Sequence, residues 1–188
     1  MTGSTSVLDA NVLYPAPLRD FLLQLAFDGL FHPKWSLEIQ NEWTRNVLLN
    51  RPDISPEKLV RTTLLMNRAF PNANVSGYES IVPTVTNHPK DAHVLAAAIH
   101  AKANVIVTFN LRDFIIAESD GLFVPAVHPD DFTVQLLAEN PVDFRSAIKD
   151  LHLRLVRPKP SMDDYMDTIE KCGLIKTSRA FRLAMQNR

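Results

Sequence analysis

Apolar and polar positions alternate along this chain in a way that predicts short strands separated by longer helices. Val7 and Leu8 end an apolar run that is typical of a buried strand, and helix-spaced apolar residues from Leu18 to Asp28 predict a helix soon after it. Asp9 therefore lies where the first predicted strand ends. The opening of the chain is a strand-to-helix unit.

The next two segments predict helices. One is amphipathic and should stop at Pro52, and its helix-spaced apolar residues are Trp35, Ile39, Trp43, Val47 and Leu48. Ser55 then supplies an N-cap and Pro56 a first helical residue for a helix that is expected to run until Pro71.

The second half of the chain repeats the alternation. Asp91 opens an alanine-rich helix, the β-branched run "NVIVTFN" predicts a strand after it, and the segment from Leu122 to Val127 predicts a last strand before a helix at "HPDDF". From about Pro141 the pattern is helical without strands. Strands separated by helices predict an α/β fold with a central, mostly parallel sheet flanked by helices. We expect this domain over residues 1–140 and a C-terminal helical extension over residues 141–188.

Composition narrows the classes of protein. The 188 residues are 46% hydrophobic and 22% charged, as is usual for globular proteins. No apolar stretch is long enough to span a bilayer, and "MTGSTS" lacks the features of a signal peptide, so we expect a cytoplasmic protein without a membrane partner. Cys172 is the only cysteine, which excludes an internal disulfide and a zinc site of several thiolates. The formal net charge of −1 does not by itself indicate nucleic-acid binding.

Acidic and amide side chains fall at or near the ends of the predicted elements. They are Asp9 after the first strand, Glu42 in the second helix, Asp91 at the alanine-rich helix, and Asn110 with Asp113 after "VIVT". Ligands of parallel α/β sheets bind beyond the carboxyl ends of the strands, so these groups can meet at one edge. Gathered carboxylates need protons or a divalent cation, and Mg²⁺ or Mn²⁺ prefers oxygen ligands. Structural roles stay open, with Asp9 as an N-cap and Asp91 as a helix-dipole partner.

The order of these motifs gives the chain a resemblance to a known family. "VLDANVLY", "WSLEIQNEW" and "PKDAHVLAAAIHAKANVIVTFNLRDF" occur in the order found in PIN-domain ribonucleases, and within them in VapC-type toxins of toxin–antitoxin pairs. The resemblance covers residues 5–132 and is strongest from Lys90 to Phe114. It implies a PIN-like three-layer fold and metal-dependent hydrolysis of RNA, with Mg²⁺ or Mn²⁺ as cofactor. It further implies a cognate antitoxin and a homodimer.

The resemblance also assigns roles to individual acids. It implies catalytic roles for Asp9, Glu42 and Asp91, which match its first three acidic positions. We expect Asp113 to be the fourth catalytic acid, with Asp9, Asp91 and Asp113 as metal ligands. Asn110 stands where many family members have an aspartate, so we expect Asp113 to supply the missing charge and Asn110 to assist by hydrogen bonding or ligation. Glu38, four residues before Glu42 on the same helical face, is an alternative for the second acid.

Other residues could support such a site. Asn11, Thr108 and Asn110 are expected to hold or orient its groups. Lys90 and Arg112 are expected to counter the charge of RNA phosphates, and a basic patch from Arg154 to Lys159 could assist them. Trp35, Trp43 and Phe114 are available for base stacking, although core packing is the alternative for the tryptophans. His93 and His100 are expected to be packing or surface residues.

The sequence leaves two further functions open. Asn110 in place of an acid is also what a PIN-like RNA-binding or scaffold module with a weakened metal site would carry. Asp9 after the first strand could instead be the nucleophile of a phosphotransfer enzyme. That chemistry is expected to need a second acid two positions later, where this chain has Asn11.

Overall fold

A parallel sheet forms the centre of the protein. The computed structural model describes residues 3–86, 88–114, 124–155 and 159–186. Within these ranges the strands are β1 (Ser4–Leu8), β2 (Phe31–Ser36), β3 (Asn74–Val75), β4 (Val105–Val107) and β5 (Ala126–Val127). They lie in the order β3-β2-β1-β4-β5, and every neighbouring pair is parallel. The prediction of a mostly parallel α/β sheet flanked by helices is confirmed.

Helices connect the strands and continue after the last of them. In the described ranges they are α1 (Ala10–Leu13), α2 (Ala16–Phe27), α3 (Leu37–Asn50), α4 (Pro56–Ala69), α5 (Ala92–His100), α6 (Pro129–Glu139), α7 (Pro141–Arg154), α8 (Met162–Lys171) and α9 (Ile175–Gln186). Short 3₁₀ turns occur at Val82–Thr84 and Leu111–Phe114. The predicted last strand is seen at its end, as β5, while residues 115–123 lie outside the described ranges.

The helix predicted around Trp35 is in part a strand, so that prediction is wrong at its start. Trp35 lies in β2, and α3 begins only after Ser36, whose side-chain oxygen accepts a hydrogen bond from Ile39 N at 3.2 Å. A buried strand that leads directly into an amphipathic helix continues the same run of apolar positions. Spacing alone therefore does not show where one element ends and the next begins. β3, only two residues long, also escaped prediction.

Large aromatic side chains fill the core beside the sheet. Trp35 and Trp43 are fully buried, and Phe114 is 3% exposed. The Arg19 guanidinium carbon lies 4.7 Å from the centre of the Trp43 ring, inside the fold. Because these three aromatic rings are enclosed, the suggestion that they stack on RNA bases is wrong, and core packing is their observed role.

The last helices are joined to the earlier ones through a buried polar contact. Asp130, at the start of α6, is 4% exposed, and its carboxylate accepts hydrogen bonds from the backbone N–H groups of Lys176 and Thr177 at 2.8 Å each. Asp130 thus caps the first turn of α9 from another helix. The hydroxyls of Thr133 and Thr177 lie 2.6 Å apart beside it. A boundary at residues 140/141 stays a prediction. No helix in the described part of the chain is both long and apolar enough to cross a membrane.

Candidate active site

The carboxyl ends of three neighbouring strands meet at one edge of the sheet. β1 is parallel to β2 on one side and to β4 on the other. Asp9 follows β1 directly, Thr108 follows β4 directly, and β2 ends at Ser36, which caps α3. The polar groups that the sequence places after separate strands are therefore brought to the same edge, as expected for a parallel sheet.

Asp9 is a buried carboxylate that is held by several hydrogen bonds. Asp9 is 3% exposed, and its Oδ1 accepts a hydrogen bond from the backbone N–H of Ala10 at 2.6 Å. Oδ2 accepts from Asn11 Nδ2 and from the Thr108 hydroxyl, each at 2.7 Å. The N-cap role for Asp9 is confirmed. The cap hydrogen bond from Ala10 N–H uses part of the acceptor capacity of Oδ1. Together with the bonds to Oδ2, it fixes the carboxylate in one orientation at the edge of the sheet.

Asn11 ties the ends of β1 and β4 together. Its Nδ2 lies 2.9 Å from the Thr108 hydroxyl oxygen as well as near Asp9, and its Oδ1 accepts a hydrogen bond from the Phe109 N–H at 3.1 Å. One amide side chain thus orients the acid, the hydroxyl and the backbone after β4. These are the contacts expected of supporting residues.

Burial and neighbouring charge disfavour ionisation of Asp9. Burial raises its pKa to about 6, and the charges of Glu42 and Asp91 add to the increase. The hydrogen bonds from Thr108 and Ala10 act in the opposite direction because they favour the ionised form. A carboxylate held in this way gains stability from a proton or from a cation.

Glu42 and Asp91 belong to the same electrostatic neighbourhood. Burial raises the pKa of Glu42, Asp91 adds to this increase, and His93 and Arg45 oppose it. Burial likewise raises the pKa of Asp91, and Asp113 adds to that increase. Four acids that lie far apart in the sequence are therefore linked, because the charge of one raises the pKa of another: Asp9, Glu42, Asp91 and Asp113.

The donor chemistry of this cluster fits a hard divalent cation. Its carboxylates offer oxygen ligands, and mutual repulsion leaves them in need of a counter-charge. No three Asp, Glu, His or Cys side chains among the described residues are close enough to form a complete ligand set. Mg²⁺ does not require such a set, because it keeps several waters and binds through one or two carboxylates.

A polar cleft of about 650 Å³ opens beside Glu42. One face of α3 and the start of α5 line it, with Glu38, Asn41, Glu42, Arg45, Asn46, Lys90 and His93. Lys90, expected to face RNA, is thus at the cleft. The cleft carries acids and bases together, so it can bring cations and phosphates close to one another.

His93 lies at the candidate site, a position that the sequence did not reveal. It is 7% exposed, its Nε2 lies 3.6 Å from Glu42 Oε2, and its Nδ1 lies 3.9 Å from Glu38 Oε1. Nε2 is buried without a hydrogen-bond partner. The available signal was a single imidazole in an otherwise apolar stretch of helix, two residues after Asp91. His100, by contrast, is exposed as expected.

Other predicted residues are more exposed than Asp9. Asn110 is exposed, and its backbone N–H donates to the Thr108 hydroxyl at 3.0 Å. Arg112 is exposed, while Asp113 is half-buried on the same 3₁₀ turn. The side chain of Glu38 is 59% exposed and that of Glu42 34%, so Glu42 is the more enclosed alternative for the second acid.

The expected basic patch is partly engaged within the fold. Arg154 donates a hydrogen bond to Gln24 of α2, and Lys159 is exposed. Residues 156–158 lie outside the described ranges. A continuous RNA-binding patch here stays a prediction.

Comparisons with known proteins match two parts of the chain to family models. Residues 5–112 match the PIN domain family, and residues 129–183 match the family described as the VapC50 C-terminal domain. A segment of 61 residues is 44% identical to a Mycobacterium tuberculosis protein named as a candidate ribonuclease, VapC50. The aligned segment covers 32% of this chain and only 36% of that curated relative's length. No solved structure matches the chain.

Proposed function

The chain belongs to the PIN-domain family, and from this premise we propose that it is a metal-dependent endoribonuclease and the toxin of a VapBC-type toxin–antitoxin pair. The observation that carries the proposal is the buried, oriented carboxylate of Asp9, whose pKa is raised by burial and by the charges of Glu42 and Asp91. Nucleases of this class act on phosphodiester bonds, which makes the protein a hydrolase. The similarity of residues 129–183 to a VapC50 C-terminal domain supports the toxin assignment.

Asp9, Asp91 and Asp113 are proposed to hold Mg²⁺ or Mn²⁺ together with bound waters, because no three such side chains among the described residues are close enough to supply a full ligand set. Glu42 would lie beside the ion. When bound there, such a cation polarises the scissile phosphate and lowers the pKa of a bound water. Asp9 is held in one orientation by its hydrogen bonds to Ala10, Asn11 and Thr108, so its ligand atoms do not have to reorganise. Glu42 faces the cleft and is proposed to orient the attacking water or accept its proton.

Single-stranded RNA is proposed to enter along the cleft between α3 and α5. Arg45 and Lys90 place positive charge beside the acidic edge, where a polyanion would otherwise be repelled. The side-chain amides of Asn41 and Asn46 offer further donors and acceptors along the same wall. His93 Nε2, buried 3.6 Å from Glu42 Oε2 and without a hydrogen-bond partner, is proposed to donate to an oxygen atom that enters the cleft. Arg112 is proposed as a weaker contact at the exposed rim.

Partners of the chain follow from the proposed toxin role. A cognate antitoxin is proposed to cover the cleft, and the toxin itself is proposed to form a homodimer. Exposed apolar side chains on α2 and α4 support an association surface, namely Phe27, Val60, Leu64 and Leu65. Light scattering of the purified protein tests the dimer: a mass of about twice 21.2 kDa is expected, and the mass of a monomer would contradict it.

A second candidate function is an RNA-binding or scaffold module without turnover. Two observations favour it: the described residues hold no complete set of three metal-ligating side chains, and Asn110 stands where many related proteins have an acid. The two candidates differ in one outcome. A scaffold module binds RNA whether or not Asp9 is intact and leaves its phosphodiester bonds unbroken.

Cleavage of end-labelled single-stranded RNA by the purified chain tests the proposal. Incubation with Mg²⁺ or Mn²⁺ should produce defined fragments, and excess chelator should stop their formation. Asp9→Asn should abolish cleavage while circular dichroism stays unchanged. Asp143→Asn, which alters an exposed aspartate on α7, is the matched control and should cleave like the wild type. Full activity of Asp9→Asn, or of the wild type in chelator, contradicts the proposal.

A further inference from the structure

We propose that the C-terminal helices position the active-site edge through the ring of Phe109, which rests against Gly173. Phe109 acts here as a positioning residue, because it reaches the carboxylate of Asp9 only through another side chain. The activity readout of this inference rests on the proposed ribonuclease function, whereas its spectroscopic readout does not.

Gly173, between α8 and α9, lies directly against the Phe109 ring. A Cβ atom built on Gly173 would lie 2.9 Å from Phe109 Cε1, which is closer than side-chain carbons pack, and 3.4 Å from Cζ, which is an ordinary contact. Gly173 also has a φ of +96°, a conformation that favours glycine. Glycine is thus required at this position both for its backbone conformation and for the close approach of the ring.

A second contact holds the same ring from α6. Phe109 and His128 pack edge to face, with ring centroids 5.1 Å apart and an interplanar angle of 77°. His128 itself is the N-cap of α6, where its Nδ1 accepts a hydrogen bond from the Asp130 N–H at 3.2 Å. The ring is therefore in contact both with the start of α6 and with the turn before α9.

The backbone of Phe109 connects the ring to the residues around Asp9. Its N–H donates a hydrogen bond to Asn11 Oδ1 at 3.1 Å, and Asn11 Nδ2 donates to Asp9 Oδ2 at 2.7 Å. Thr108, the preceding residue, donates to the same Asp9 oxygen. A displaced Phe109 ring is therefore expected to shift Asn11 and Thr108, two of the three groups that donate hydrogen bonds to the Asp9 carboxylate. Small misplacements of this kind are costly in catalysis, where about 1 Å can reduce the rate a hundredfold.

The chain contains a matched control for the glycine. Gly29 also has a positive φ, of +82°, but a Cβ built there meets no atom within 4 Å. Gly173→Ala and Gly29→Ala therefore introduce similar backbone strain, and only the first pushes on Phe109. A difference between the two variants isolates the ring contact from the general cost of losing a glycine.

Nuclear magnetic resonance and cleavage kinetics of the full chain test the inference. Gly173→Ala should shift the Asn11 side-chain amide signals and the Phe109 amide signal, and should lower kcat by roughly tenfold or more with KM within about twofold. Gly29→Ala should leave these signals and rates as in the wild type. Unshifted Asn11 signals in Gly173→Ala, or equal shifts in both variants, overturn the inference.

A second substitution keeps the test decisive if Gly173→Ala folds poorly. Phe109→Leu removes the ring atoms that the new methyl group would meet. Gly173→Ala should therefore lower the free energy of unfolding less in the Phe109→Leu background than in the wild type. Phe109→Leu alone should also shift the Asn11 side-chain amide signals. If the two substitutions lower the free energy of unfolding by fully additive amounts in the double variant, the inference is overturned. If the wild type cleaves no RNA, the proposed function fails, and the Asn11 signals still decide the positioning role.

Discussion

The Thr108 hydroxyl donates a hydrogen bond to Asp9 Oδ2 over 2.7 Å, although the two residues are 99 positions apart in the chain. The pairing of β1 with β4 brings them together, because Asp9 follows one strand and Thr108 the other. The bond fixes a carboxylate in a buried place, where burial raises its pKa to about 6. The fold therefore holds Asp9 in a form that benefits from a bound cation.

The two acids on α3 should differ in their importance for cleavage. Glu42 shares the electrostatic neighbourhood of Asp9 and Asp91, whereas the more exposed Glu38 lies near the Tyr78 hydroxyl at 3.4 Å. Glu42→Gln is expected to lower kcat by about a hundredfold or more, the range of a lost acid–base group. Glu38→Gln on the same helix face is the control and should stay within about threefold. The reverse ranking would assign the second acid to Glu38.

The stability of the metal-free protein should depend on the ionisation of Asp9. Its pKa in the fold is about 6 against an ordinary value of 3.8, so the folded state binds the proton more tightly than the unfolded state. This contribution is fully present below about pH 4 and is lost as the pH rises through 6; it amounts to about 3 kcal/mol. Asp9→Asn removes it.

Urea unfolding of both proteins in chelator measures this effect. Between pH 4 and pH 7.5 the free energy of unfolding of Asp9→Asn should rise relative to the wild type by up to about 3 kcal/mol. Parallel pH profiles for the two proteins are the contradictory outcome. Mn²⁺ affinity should weaken below about pH 6 for the same reason, since protons then compete for the carboxylate.

Arg45 should contribute to RNA affinity through its charge. It lines the cleft with Lys90 and opposes the pKa increase of Glu42, which places its charge near the acids. Arg45→Glu is expected to weaken binding of a non-cleavable single-stranded RNA about threefold to tenfold at low salt, and to reduce the salt dependence of that binding. Fluorescence anisotropy measures both quantities.

Arg61→Glu is the matched control for Arg45→Glu, because Arg61 is an exposed arginine on α4 outside the cleft. It changes the net charge by the same amount. If both variants lose the same affinity, the effect comes from overall charge, and the cleft is not the RNA surface.

Asp130 should stabilise the attachment of α9. Its buried carboxylate accepts hydrogen bonds from two backbone N–H groups and from the Thr177 hydroxyl. Asp130→Ala leaves the buried Thr177 N–H without this partner, and a loss of about 2–4 kcal/mol in the free energy of unfolding is expected. Asp131→Ala removes an exposed ion pair with Lys176 and should cost about 0.5 kcal/mol or less. Similar losses in urea unfolding would argue against the buried cap.

The parts of the site that the sequence predicted are those that follow strand ends. Asp9 comes directly after β1 and Thr108 after β4, and the carboxyl ends of parallel strands share an edge whatever their distance in sequence. Local apolar patterns locate such strands well. Asp91 was located by a different local signal, since it directly precedes a clearly patterned helix.

Features that depend on packing between distant elements could not be predicted from the sequence. The end of β2 was predicted as part of a helix, because its buried residues continue the apolar spacing of α3. His93 contacts the acids of α3 because the fold brings the start of α5 to the same cleft as α3, and nothing in its local sequence specifies this neighbour. The close approach of Gly173 to Phe109 likewise joins two segments that have no shared sequence pattern.

Calorimetric titration with Mn²⁺ tests most directly whether the acids at the sheet edge share a cation. The wild type should bind Mn²⁺, and Asp9→Asn and Asp91→Asn should each abolish or strongly weaken this binding, while Asp143→Asn on α7 binds as the wild type does. Unchanged Mn²⁺ binding in both Asp9→Asn and Asp91→Asn, or none in the wild type at neutral pH, would contradict the account.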